Sequence, residues 1–249
     1  MPPALAVRAL WFGVVLLVVV GTLASAGRSV FRGDLAVRAD PVREKLLAAF
    51  HRNDPFLTLR AEELARFDGR YAANPALTLL HVLPGGLVLI LAPLQFSPRI
   101  RRRFIAFHRW SGRFLMLAGL MAAVAGLVFG LRMPYGGPGE MAAVALFGGL
   151  FVMALGRGVV AIRRHEVARH REWMIRAFAI ALGISTVRVI SAVFDLGLTP
   201  LGLRPQALFV LSLWVGWSVS LGAGEVWIRY TRSLDFVGGG GQWRQDMTQ

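Results

Sequence analysis

No cysteine occurs anywhere in the 249 residues, and lysine occurs once, at Lys45. The first absence excludes disulfides, thiolate metal sites, iron–sulfur clusters and cysteine nucleophiles. Any metal or cofactor chemistry must therefore fall to His, Asp, Glu or Met. Acidic residues are also scarce, 14 against 28 basic ones, which leaves a formal charge of +14. Such an excess can mark a nucleic-acid binder. Here the arginines sit beside apolar stretches, as they do in cytoplasmic loops of membrane proteins, so no nucleic-acid partner is expected. Polar surface is in short supply as well. The chain is 55% hydrophobic, with a mean hydropathy of +0.56. A water-soluble domain of this size could not cover so much apolar surface, so lipid is the expected solvent and the bilayer the expected partner.

Six apolar segments, each close to the roughly 20 residues that cross a bilayer, fall near residues 9–26, 77–96, 114–131, 141–161, 174–196 and 207–228. Backbone groups in hydrocarbon must be paired within the segment, and the alternation of a barrel strand is missing. The expected fold is thus all-α, a polytopic bundle of about six transmembrane helices with a short external amphipathic cap. The organisation read from the sequence is a first anchor over 1–27, an external segment over 28–76, a five-span core over 77–232 and a flexible tail over 233–249. Ala24-Ser25-Ala26 also fits a signal-peptidase site, which would make the first segment a leader instead of an anchor. In the external segment Asp40-Pro41 makes a helix start, with Val42, Leu46, Leu47 and Phe50 on one face and Leu64, Phe67 and Tyr71 repeating the pattern. Two short helices there would lie on the membrane or cap the bundle. Gly238–Gly241 announces the flexible end.

Orientation follows from short loops. Arg99, Arg101, Arg102, Arg103, Arg109 and Arg113 bracket the second-to-third connection; Arg157, Arg163, Arg164, Arg169, Arg171 and Arg176 bracket the fourth-to-fifth. The intervening connections carry little beyond Arg132 and Arg204. Positive residues collect on the cytoplasmic side, so both termini are expected there, in a multi-pass protein of a bacterial inner membrane.

Five histidines remain as candidates for chemistry. His51 reads as a surface residue of the external segment. His108 opens the third span, and Gly112, Gly119, Gly126 and Gly130 lie within about 40° of its direction on a helix. Such a face either lets another helix approach closely or lets a flat macrocycle lie below its axial ligand. His165 and His170 stand before the fifth span. Two imidazoles facing each other across a bundle can ligate a b-type haem iron; alternatively they bind phospholipid head groups together with their arginines. Arg188 lies deep in the fifth span, where a charge normally faces the protein interior, and His81 in the second span lies at similar depth. Two polar layers are therefore expected, one of His81 and Arg188, the other of Gln95, His108 and His170. Pro84 and Pro93 interrupt the second span beside a loosening Gly85-Gly86. Glu225 can pair with Arg229 one turn on, and Trp110, Trp173 and Trp227 read as interface anchors.

Several strings occur together: His81-Val82, Pro93-Leu94-Gln95-Phe96, the basic run 99–103, His108-Arg109-Trp110-Ser111-Gly112-Arg113 and His170-Arg171-Glu172-Trp173-Met174-Ile175-Arg176, followed by Arg188. Over residues 77–195 this resembles the bacterial membrane family called domain of unknown function 2306. The resemblance implies a polytopic membrane fold and no activity. Its layout is also similar to di-haem cytochrome b bundles, an analogy of form only. The leading expectation from sequence is a membrane electron carrier with haem b between His108 and His170, the glycine face of Gly112 and Gly119 against the ring, Arg109 and Arg113 at its propionates, and a redox or membrane protein as partner. The alternative is a cofactor-free transporter or small-molecule-binding protein built on His81, Arg188 and Gln95, or a membrane scaffold or assembly subunit. No nucleophile, base and orienting acid occur together as a hydrolase would need.

Overall fold

The computed structural model describes residues 12–19, 66–67, 69–197 and 203–242, apart from the side chains of 98–99, 195–197 and 233–242. Among these residues all regular structure is helical. The order is α1 (Pro75–Gln95), α2 (Pro98–Arg103), α3 (Ile105–Arg132), α4 (Pro138–Arg163), α5 (Val167–Gly197) and α6 (Pro205–Gln242). Five of these are long and apolar enough to cross a membrane: α1, α3, α4, Val167–Phe194 of α5 and Pro205–Arg232 of α6. They correspond to the second to sixth apolar segments. Of the first segment, residues 12–19 are helical and the rest lies outside the described residues, as do His51 and residues 28–65 of the external segment. Helix α6 runs through Gly238–Gly241 to Gln242, and residues 243–249 lie outside the description.

The surface explains why lipid is the solvent. Leu79, Leu80, Leu83, Leu87, Ile90 and Leu94 form an exposed row on α1, and Phe107, Trp110, Phe114, Leu117, Met121 and Val124 form one on α3. Apolar rows of this length would drive aggregation in water and are at rest in hydrocarbon. What faces inward is small. Ala118, Ala122 and Ala125 are buried on α3; Ala143 and Ala154 on α4; Ala177 and Ala179 on α5. With no hydrophobic drive between helices in lipid, close approach of small residues and the resulting dispersion contacts hold such bundles together.

The closest packing joins α5 to α6. At Gly216 an added Cβ would come within 2.8 Å of the Val187 backbone, and at Gly224 within 2.9 Å of Ala179 Cβ. Thr186 and Ser220 share a 2.8 Å hydrogen bond across the same seam. Helix α4 packs on α5 and α3, and α3 packs on α1. The chain thus winds α1–α3–α4–α5–α6. The short α2 carries Arg101, Arg102 and Arg103 in its last turn and turns the chain from α1 into α3. This arginine-rich end also receives the α4–α5 connection, where His165 adopts a left-handed conformation with φ 61°. At the opposite end Gly137, with φ 64°, lets the chain reverse from α3 into α4.

Candidate functional site

A cavity of about 220 Å³ opens inside the bundle, in the half away from the arginine-rich end. Its wall is contributed by α1, α3, α4, α5 and α6. Most of that wall is apolar, including Val88, Leu89, Phe129, Phe147, Phe151, Ile184 and Trp217. Five residues with ionisable side chains break the apolar lining: His81, Arg188, Arg70, Tyr71 and Glu140.

His81 is seated by a glycine. Its Nδ1 lies 2.8 Å from the Ala122 carbonyl of α3. A carbonyl only accepts, so Nδ1 carries the proton and donates. In the neutral ring Nε2 is then the acceptor. The ring reaches the α3 backbone because residue 126 has no side chain: an added Cβ there would stand 2.9 Å from His81 Cε1 and 3.0 Å from Nδ1. Phe129 meets the imidazole edge-on at 6.5 Å. Arg188 reaches the same cavity from α5. The structure therefore brings the two residues of one expected polar layer to a single cavity, while the third residue grouped with them, Gln95, stands near the arginine-rich end. A guanidinium and an imidazole on an otherwise apolar wall can hold an acidic or hydrogen-bonding head while the rest of a ligand lies against hydrocarbon.

The end of the cavity away from the arginine-rich end is lined by residues that sequence reasoning did not single out together. Arg70 Nη1 donates to Glu140 Oε1 at 2.9 Å and to the Met133 carbonyl at 2.9 Å. Glu140 Oε2 accepts from the Gly136 amide at 2.7 Å. The side chains are only 11% and 4% exposed. Glu140 stands in the first turn of α4, where the helix dipole favours an anion. The guanidinium lies 4.4 Å from the Phe67 ring centre and 5.0 Å from that of Tyr71. Phe67 packs edge-on to Tyr135 and Phe209, and Tyr71 rests on Phe129. Phe67 and Tyr71 thus cap the bundle. The available signal was the lone acid opening a span, together with an arginine embedded in an amphipathic stretch. Nothing in the sequence pairs them across 70 residues.

The arginine-rich end holds the remaining candidates. Gln95 Nε2 donates to Ser111 Oγ at 2.8 Å, and Ser111 Oγ donates to the Phe107 carbonyl at 2.5 Å. His170 Nδ1 donates to the Gly158 carbonyl at 2.8 Å. His108 lies within electrostatic range of His170, Arg101 and Arg109. Arg113 lies over the Trp110 ring at 5.1 Å, and Trp173 is held between Arg157 and Arg176 at 5.4 and 4.7 Å. Glu225 pairs with Arg176 of α5, Nε to Oε1 at 2.5 Å, and not with Arg229. The reason is geometric: the α5–α6 seam is so close that the nearest cation is across it, and not one turn along. Glu172 binds Arg232 and also faces Arg176.

The glycine face below His108 is not an open groove. Gln95 Oε1 covers Gly112, the Phe151 ring and Val88 cover Gly119, His81 covers Gly126 and Val144 covers Gly130. These glycines admit side chains of α1 and α4. A macrocycle would have to displace Gln95 and Phe151 to lie there, so the residues present do not form a haem cradle. Among the described residues no group of three metal-ligating side chains is assembled.

Residues 78–228 match the family model described as Predicted membrane protein (DUF2306). The chain belongs to that family. The match covers well over half of the sequence and contains both the cavity wall from His81 to Trp217 and the arginine-rich end. No curated protein and no solved structure matches. The family assignment thus states a multi-pass membrane protein in contact with lipid, and the chemistry must be argued from the DUF2306 bundle itself.

Proposed function

We propose that the protein binds a small amphipathic molecule in the cavity between His81 and Arg188, as a transporter or an intramembrane binding protein without a cofactor. The observation that carries this reading is an apolar cavity lined by the His81 imidazole of α1 and the Arg188 guanidinium of α5. Intramembrane ionisable residues are costly and normally serve a ligand or ion path. The ligand class that fits is a short hydrocarbon body with an acidic or strongly accepting head. By the arginine asymmetry, the arginine-rich end faces the cytoplasm, so the Arg70–Glu140 pair faces outward. A ligand would then enter or leave from the outside, past the Phe67–Tyr71 cap.

Trp217 lines the cavity and stacks on Phe147 at 5.2 Å, which supplies the assay. A brominated octanoic acid titrated into purified protein should quench tryptophan emission saturably. Trp217→Phe should remove most of the saturable part, and Ala123→Phe, which fills the wall, should weaken it at least tenfold. The corresponding brominated alcohol should bind more weakly, because it offers Arg188 no charge. Quenching that is linear, and the same in Trp217→Phe, would reject the cavity as the binding site.

A further inference from the structure

A second set of polar groups, remote from the cavity, holds buried polar atoms without a hydrogen-bond partner among the described residues. At the arginine-rich end, Arg101 of α2 faces Arg171 of α5 and its own neighbour Arg102, and burial together with these cations lowers its pKa. His108 of α3 is reached by Arg101, His170 and Arg109, all of them basic. Among the described residues, the carboxylates at this end each have an arginine partner. Glu166 binds Arg169, Glu225 binds Arg176, and Glu172, which is also within range of Arg171, is held by Arg232. Two nitrogens are buried with no hydrogen-bond partner among the described residues, the Arg101 Nε donor and His108 Nδ1, which donates in one of the two neutral tautomers and in the protonated ring, and the Gln95 Oε1 acceptor beside Gly112 is likewise without one. Buried donors without acceptors are rare, since each costs about 1–3 kcal/mol. Clustered cations with bare donors are the complement of a multivalent oxyanion.

We propose that Arg101, His108, His170 and Arg171 form a binding site for a phosphoryl anion. Arg101 Nε and His108 Nδ1 donate to its oxygens, while Arg171 supplies charge from the facing helix and His170 lines the site beside it. Gln95 Oε1 accepts from a protonated phosphate oxygen or a head-group hydroxyl. The site lies at the level of Phe104, Phe107 and Trp110, whose rings are exposed on the surface of the bundle. A phospholipid phosphate with its acyl chains on those rings and a free phosphate from the aqueous side share this chemistry.

The test uses the full chain in a non-ionic detergent and reads the midpoint of thermal unfolding. Phosphatidylglycerol, phosphatidylcholine and inorganic phosphate are added separately at matched concentration. Phosphatidylglycerol is expected to raise the midpoint more than phosphatidylcholine does. Inorganic phosphate without effect identifies a lipid head group; inorganic phosphate with an equal effect identifies a free anion. Arg101→Gln and His108→Gln should each at least halve the shift, whereas Arg103→Gln, an exposed change on the same short helix, should keep it. The midpoints in phosphatidylcholine alone show that each variant is folded. Equal midpoints in all three additions would overturn the proposal. So would a full shift in both Arg101→Gln and His108→Gln.

Discussion

Gly126→Ala should destabilise the protein when His81 is present and do no harm when it is absent. The added Cβ would lie 2.9 Å from His81 Cε1 and 3.0 Å from Nδ1. Ordinary contact begins near 3.4 Å or beyond, so the ring must retreat by roughly half an ångström or more. That retreat stretches the 2.8 Å bond from Nδ1 to the Ala122 carbonyl. Overpacking of this kind costs about 1–3 kcal/mol, and the weakened hydrogen bond adds roughly 0.6 kcal/mol on the scale found inside membranes. Opposing both is the better helix propensity of alanine, up to about 1 kcal/mol. The net expectation is a loss of about 1–2 kcal/mol. In a His81→Ala background the clash and the hydrogen bond are gone, and only the propensity gain remains. The double-mutant cycle, read by reversible unfolding in mixed micelles, should therefore give a coupling of about 2 kcal/mol, with Gly126→Ala changing sign between backgrounds. Additive effects would refute the seating of His81 against α3.

Three further outcomes follow from the same geometry. Glu140→Gln should cost roughly 3–5 kcal/mol in unfolding, because Arg70 is left charged in a nearly buried site; Arg70→Leu with Glu140→Leu should recover most of it. Reporter fusions after Arg103 and after Arg169 should read cytoplasmic and one at Asp54 external; an external signal after Arg103 would invert the orientation. An absorbance spectrum of protein purified with ample haem supply should lack a Soret band, given the filled face below His108; a band removed by His108→Ala and by His170→Ala would show that Gln95 and Phe151 yield to a macrocycle.

Hydropathy made the helices legible because bilayer thickness sets their length, and α1, α3, α4, α5 and α6 lie where the apolar segments do. Facing directions were partly legible. Helical periodicity aligned Gly112, Gly119, Gly126 and Gly130, and all four do turn toward neighbouring side chains. What periodicity cannot say is which neighbour fills a groove. That depends on the order in which the helices pack, and here α1 and α4 flank α3, so Gln95, Phe151, His81 and Val144 occupy the face a macrocycle would need. Depth along a span is likewise readable, because it is counted from a helix end at a fixed rise per residue, and it puts His81 and Arg188 at one level. The meeting of Arg70 and Glu140 is not readable, because it depends on how the chain before α1 folds over the bundle, and no local pattern encodes it. Yet both residues line the cavity that His81 and Arg188 share. The nearly buried ion pair is surrounded by Phe67, Tyr71, Tyr135 and Phe209. Because it joins the chain before α1 to the first turn of α4, it ties that segment to the wall of the cavity.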